Sequence, residues 1–141
     1  MEKLIESGDL KYSIKYMTDE DIDMAVKLEK ESFSDPWTAK HFFFELHEMN
    51  SLMLAAKKGN ELLGMICISC VSDEASLDTI SVFSRYRRKK IAENLLSTAL
   101  FLLKEKRIGS ITLEVRRSNV PAIALYERFG FEFEGYRPGY Y

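Results

Sequence analysis

A chain of 141 residues and 16.3 kDa suits one compact domain over residues 1–141, large enough for its own core. Hydrophobic residues at 46% and charged residues at 30% argue against disorder, and no apolar run approaches the ~20 residues of a membrane-spanning helix. A net charge of −2 gives no global field for nucleic acid or anionic membrane, two cysteines cannot build a disulfide framework, and the charged start is no secretory signal. These features predict a soluble cytoplasmic protein.

After a start that reads as frayed, Tyr12–Tyr16 alternates as a strand. Thr18, followed by Asp19, Glu20 and Asp21, predicts a helix start, with Ile22, Ala25 and Val26 as its apolar stripe. Thr38 predicts a second start, Trp37 and Phe42 have staple spacing, and Phe42, Phe43, Leu46 and Met49 form a face. Three antiparallel strands follow: 51–57, 61–71 around a turn at Lys58-Gly59-Asn60, and 76–82. Ile91, Leu95, Ala99 and Leu102 recur at helical spacing, broadened by Ala92, Leu96 and Leu103, and Gly109 predicts the stop. Ser110–Val115 reads as a strand. Asn119 caps a short helix containing Pro121 and ended by Gly130, and Phe131–Arg137 reads as a final strand.

Chemistry concentrates where the strand ending at Val82 enters the basic run Arg85, Arg87, Arg88, Lys89 and Lys90, which opens onto a helix. Amides at such a helix start, reinforced by cations, suit a pyrophosphate. A solvated charge run and a nucleic-acid patch, the latter joined by Arg116 and Arg117, fit the same residues. Cys67 and Cys70, three apart on a strand, point to opposite faces and read as core rather than metal ligands.

Leu77-Asp78-Thr79-Ile80-Ser81-Val82, Tyr86 to Ala92, Leu113-Glu114-Val115-Arg116-Arg117-Ser118-Asn119 and Ala122 to Glu127 resemble the GCN5-related N-acetyltransferases. Together with Ser32 to Trp37, Phe129-Gly130-Phe131-Glu132 and Gly135 to Tyr141, these stretches resemble, within that superfamily, the bacterial ribosomal-protein alanine N-acetyltransferases. The resemblance implies an α/β fold: a mixed, mostly antiparallel sheet splayed between two central strands and flanked by about four helices. It implies acetyl-coenzyme A as co-substrate, no metal, and direct acetyl transfer to a protein N-terminal amine, that of the N-terminal alanine of a small-subunit ribosomal protein. The main chain of Ile80, Ser81 and Val82 would lie along the pantetheine. Amides from Arg88 through Lys89, Lys90, Ile91, Ala92 and Glu93 would hold the pyrophosphate, and Asn119 matches a coenzyme-contacting asparagine. Glu114 matches the general base and Tyr126 the general acid. Phe33–Trp37 and Tyr136–Tyr141 would shape the acceptor channel.

One position departs from the pattern: Lys90 stands where the loop has its first glycine. A coenzyme- or partner-binding module with poor turnover, or an enzyme for lysine, polyamine or small-molecule amines, is therefore the alternative. The family's last strand is missing after Tyr141, which predicts a truncated chain or a weak, edge-paired homo-oligomer.

Overall fold

The computed structural model describes residues 1–135. Its elements are β1 (Glu2–Ser7), β2 (Leu10–Tyr16), α1 (Ile22–Ser32), α2 (Ala39–Leu46), β3 (Ser51–Lys58), β4 (Glu61–Val71), β5 (Glu74–Val82), α3 (Ile91–Glu105), β6 (Ser110–Thr112) and α4 (Val120–Arg128). The six strands lie in one sheet in chain order, antiparallel from β1 to β5 and parallel between β5 and β6. This is the mixed α/β sheet that the resemblance implies.

The N-terminus is not frayed. Glu2–Ser7 pairs with β2, and the charges that disguise it as solvated chain are cross-strand partners: Glu2 opposite Lys15 and Glu6 opposite Lys11, with ion pairs at 3.8 and 3.9 Å. Gly8 makes the tight turn at φ +62°, a conformation that costs glycine little. Gly59 does the same between β3 and β4.

Two apolar clusters cover the two faces of the sheet. Ile22, Ala25, Leu28 and Phe42 from α1 and α2 pack on Met53, Ala55, Met65 and Cys67. On the other face Ile91, Leu95, Leu96, Ala99 and Leu103 of α3, with Tyr126 of α4, pack on Ile14, Leu54, Ile66 and Val82. The two cysteines diverge as their spacing predicts, Cys67 into the first cluster and Cys70 against the second. Burial pushes the Cys67 thiol well above its ordinary pKa. No helix among the described residues is long and apolar enough to cross a membrane, and no cluster of metal-ligating side chains occurs there.

Four expectations need correction. The α2 face holds only Phe42 and the half-buried Leu46; Phe43 is 53% exposed, and Met49 lies beyond the helix, 93% exposed. The residue that ends α3 is Arg107, at φ +61°, not Gly109. Arg107 N–H donates to Lys104 O and Ile108 N–H to Leu103 O, both at 3.0 Å, which closes the helix. Gly109 is needed instead for close approach: its N–H reaches Asp73 O at 2.7 Å, and a Cβ there would sit 3.1 Å from the Asp73 carboxylate. β6 stops at Thr112 rather than Val115, and Phe131–Gly135 forms no strand beside it. The remainder of that expected strand, together with Tyr136–Tyr141, lies outside the described residues.

Asp21 ties the first cluster to the sheet. It is 4% exposed, accepts from Thr18 N–H at 2.9 Å and pairs with Lys57 Nζ at 2.7 Å, whose side chain is largely covered. Removing one partner of a covered pair strands the other charge. Asp21→Ala therefore lowers unfolding free energy by about 3 kcal/mol in urea titration. A loss below about 1 kcal/mol, the worth of a surface pair, would contradict this role.

Candidate active site

The site is built where β5 leaves its neighbour. β5 and β6 pair only through Glu74/Ser110, Ala75/Ile111 and Ser76/Thr112. A register shift against β4 follows at once: Ile68 faces Leu77 but Cys67 faces Thr79, so Asp78 is the extra residue of a bulge. Bulges bend and twist a strand. Beyond it, Thr79–Val82 follows β4 while the chain after Thr112 takes another course, and the sheet opens.

The ladder parity decides which main-chain groups face that opening. Phe83 N–H donates to Leu63 O at 2.9 Å, so the narrow pairs fall at Leu63/Phe83 and Met65/Ser81. The N–H and C=O of Ile80 and Val82 therefore point away from β4 toward the gap, whereas those of Ser81 are spent on Met65. Of these three predicted coenzyme contacts, Ser81 can offer only its side chain. That hydroxyl is buried, lies on the α1–α2 face opposite Met65, and has no hydrogen-bond partner among the described residues.

At the end of β5 the basic run divides its tasks. Arg85 pairs with Glu61 at 2.5 Å, and the Tyr86 hydroxyl donates to the same carboxylate at 2.7 Å. These bonds hold the Glu61 carboxyl below its ordinary pKa, the Tyr86 bond first. Arg87 Nε donates to Val82 O at 3.4 Å, and Ser84 N–H to Glu31 at 2.8 Å. Arg88, Lys89 and Lys90 remain exposed at the start of α3. Both Arg88 and Lys90 adopt left-handed conformations, at φ +64° and +63°. The loop thus keeps a glycine-like path at Lys90 without the glycine. Ile91 is buried, Ala92 is half-buried, and Glu93 pairs with Arg128, which ties the first turn of α3 to the last turn of α4.

Glu114 lies in the chain just after β6 and is exposed, between Leu113 and Val115, which pack on the α3 cluster. Tyr126 is 7% exposed, stacked edge-on to Phe131 at 5.7 Å, and lies in the α3 cluster. Burial raises its pKa to about 12, so the phenol stays protonated at neutral pH. Asn119 Oδ1 accepts from Ala122 N–H at 3.3 Å, the predicted cap.

Sequence reasoning misses Glu29. It sits on the buried stripe of α1, seven residues after Ile22, and is 3% exposed. It accepts from Thr79 Oγ1 at 3.1 Å and from Trp37 N–H at 3.4 Å, joining α1, β5 and the loop before α2. Trp37 in turn stacks on His41 at 3.9 Å. A carboxylate on an apolar stripe is the signal that could have found it.

The comparisons with known proteins follow this geometry. The sequence model of the acetyltransferase (GNAT) family matches residues 22–131. The chain belongs to that family. It is 38% identical over 132 residues to a Bacillus subtilis protein named provisionally as a ribosomal protein bS18-alanine N-acetyltransferase, covering 93% of this chain and 87% of that one. The Salmonella typhimurium enzyme of that name is 31% identical over 129 residues, covering 92% and 86%. Among solved structures, the ribosomal-protein-S18-alanine N-acetyltransferase of Escherichia coli superposes with TM-score 0.85 at 29% identity, over 92% of this chain and 83% of that one. The GNAT opening thus falls between β5 and β6 here.

Two outcomes follow from this site. Desolvation raises the Glu29 pKa above 4.5, so ionisation costs the folded state stability as pH climbs from 4.5 through the raised value. Glu29→Gln does not ionise. Its unfolding free energy relative to the parent should therefore rise over that window and then level off; a flat difference would contradict the burial. At Lys90, glycine removes a left-handed side-chain penalty and adds unfolded-state freedom. Lys90→Gly should stabilise by about 0.5–1 kcal/mol in urea titration, and a destabilised variant would mean that the loop is not strained.

Proposed function

We propose that this chain transfers acetyl from acetyl-coenzyme A to the α-amine of a protein N-terminus, with a ribosomal protein whose first residue is alanine as the acceptor type. The observation that carries this reading is the opening between β5 and β6, where β5 runs on past its last pair with β6 and leads into the basic loop at the start of α3. The substrate class rests on the relatives, 31–38% identical, that are named ribosomal protein bS18-alanine N-acetyltransferases.

The residues present fit the coenzyme. The outward N–H and C=O of Ile80 and the outward N–H of Val82 offer an extended thioester arm a strand-like partner, and the Ser81 hydroxyl adds a donor on the acceptor face. Amides from Arg88 through Glu93, with the exposed cations Arg88, Lys89 and Lys90, suit a pyrophosphate at a helix start. Asn119 holds the first turn of α4 beside it. Bound acetyl-coenzyme A supplies the activated acyl group and a thiolate leaving group. An N-terminal amine titrates near 7.7–8.0, so Glu114 need only accept one proton from it, directly or through water. Tyr126, kept neutral by burial, donates its proton in turn. Within the basic run Arg85 is committed to Glu61 and Arg87 to Val82, so Arg88, Lys89 and Lys90 are the cations at hand for the pyrophosphate.

Mass spectrometry of alanine-ended peptides incubated with the protein and acetyl-coenzyme A tests the activity: the account expects one acetyl group at the peptide N-terminus. Tyr126→Phe should lower kcat by about 100-fold or more while leaving the coenzyme Kd unchanged. Equal turnover at saturating coenzyme would remove Tyr126 from the mechanism. Coenzyme binding without acetylation of any amine would favour the binding-module alternative.

A further inference from the structure

β1 and β2 form the edge of the sheet opposite β6, yet their turn reaches the end of the sheet where β5 gives way to the basic loop. Ser7, Gly8, Asp9 and Leu10 form one wall of an open cleft of about 420 Å³, facing Arg85, Tyr86 and Lys89. Across it Ser7 Oγ donates to the main-chain carbonyl of Lys89 at 3.2 Å. Deeper down, Asn94 Nδ2 in the first turn of α3 donates to the Tyr12 hydroxyl at 2.7 Å, and Tyr12 is buried. The hairpin therefore grips the loop and the helix it opens at two points.

The first grip has a directional consequence. In a planar trans peptide the C=O and the following N–H point in opposite directions. Holding the Lys89 carbonyl toward β1 turns the Lys90 N–H away from the hairpin. The competing arrangement rotates this peptide plane and carries Lys90 from φ +63° to a negative φ, which a residue with a side chain prefers. That rotation takes the carbonyl off Ser7.

We infer that Ser7 is a positioning residue for the coenzyme loop: its hydroxyl locks the Lys89–Lys90 peptide so that the Lys90 N–H faces the pyrophosphate. A hydrogen bond from the edge strand β1 thus does what a glycine in the loop would do through conformational freedom. The inference rests on the coenzyme reading above.

Coenzyme A titrated into the full-length 15N-labelled protein, by calorimetry and amide shifts, separates the two. In the parent the amides of 88–93 should move. Ser7→Ala should bind about three- to tenfold more weakly, the worth of one net hydrogen bond, with kcat at saturating acetyl-coenzyme A unchanged. Ser7→Thr, which keeps the hydroxyl, should bind like the parent. With Lys90→Gly in place, where the left-handed path needs no lock, Ser7→Ala should cost less than about twofold. Parent-like binding by Ser7→Ala, or an equal loss with and without Lys90→Gly, overturns the inference. If coenzyme binds the parent without moving the amides of 88–93, the site reading fails and takes this inference with it.

Discussion

The rest of the structure depends on one interruption of backbone pairing. β5 keeps its full ladder to β4 but loses β6 after three residue pairs, just before the bulge at Asp78. A strand in a sheet interior ordinarily has both edges satisfied, and leaving one edge open is costly unless something else pairs there. In this protein the open edge carries the outward groups of Ile80 and Val82, and it is flanked by two well-packed clusters that keep the strand from collapsing toward either face. Gly64 helps to hold it, since a Cβ there would lie 2.9 Å from Ser81 O and 3.0 Å from a Val82 methyl. β4 and β5 can therefore press together at the point where β5 must stay straight without its second neighbour.

The two faces supply different chemistry to that edge. On the α1–α2 face Glu29 fastens Thr79 to the loop containing Trp37, and the Ser81 hydroxyl lies on the same side, polar groups set within an otherwise apolar cluster. On the α3 face Tyr126 is buried in apolar surroundings that keep it neutral, and the Glu93–Arg128 pair draws α3 and α4 together.

Much of this was legible because local rules and tertiary structure agreed. Thr38 caps α2 and accepts from His41 N–H at 3.2 Å, Trp37 meets Phe42 edge-on at 5.1 Å, and the α3 stripe lies where its spacing puts it. The family resemblance led to the stretch of β5 at which the sheet opens. What escaped was set by partners distant in sequence. The charges of β1 make sense only opposite Lys11 and Lys15. Arg107 takes a left-handed turn because Gly109 is committed to Asp73. Glu29 is paired across 50 residues with Thr79, and no local pattern announces such a bond. The extent of β6 also could not be read from its alternation, because β6 ends where it parts from β5, which itself runs on to Val82.

Hydrogen exchange at two neighbouring amides tests the central claim most directly. If the β5 edge is the coenzyme platform, the Ile80 and Val82 amides exchange readily in the free protein and slow markedly when coenzyme A is bound. The Ser81 amide, already laddered to Met65, is slow in both states. Unchanged exchange at Ile80 and Val82 under saturating coenzyme would contradict the account, because the open edge would then be a feature of the fold without a part in binding.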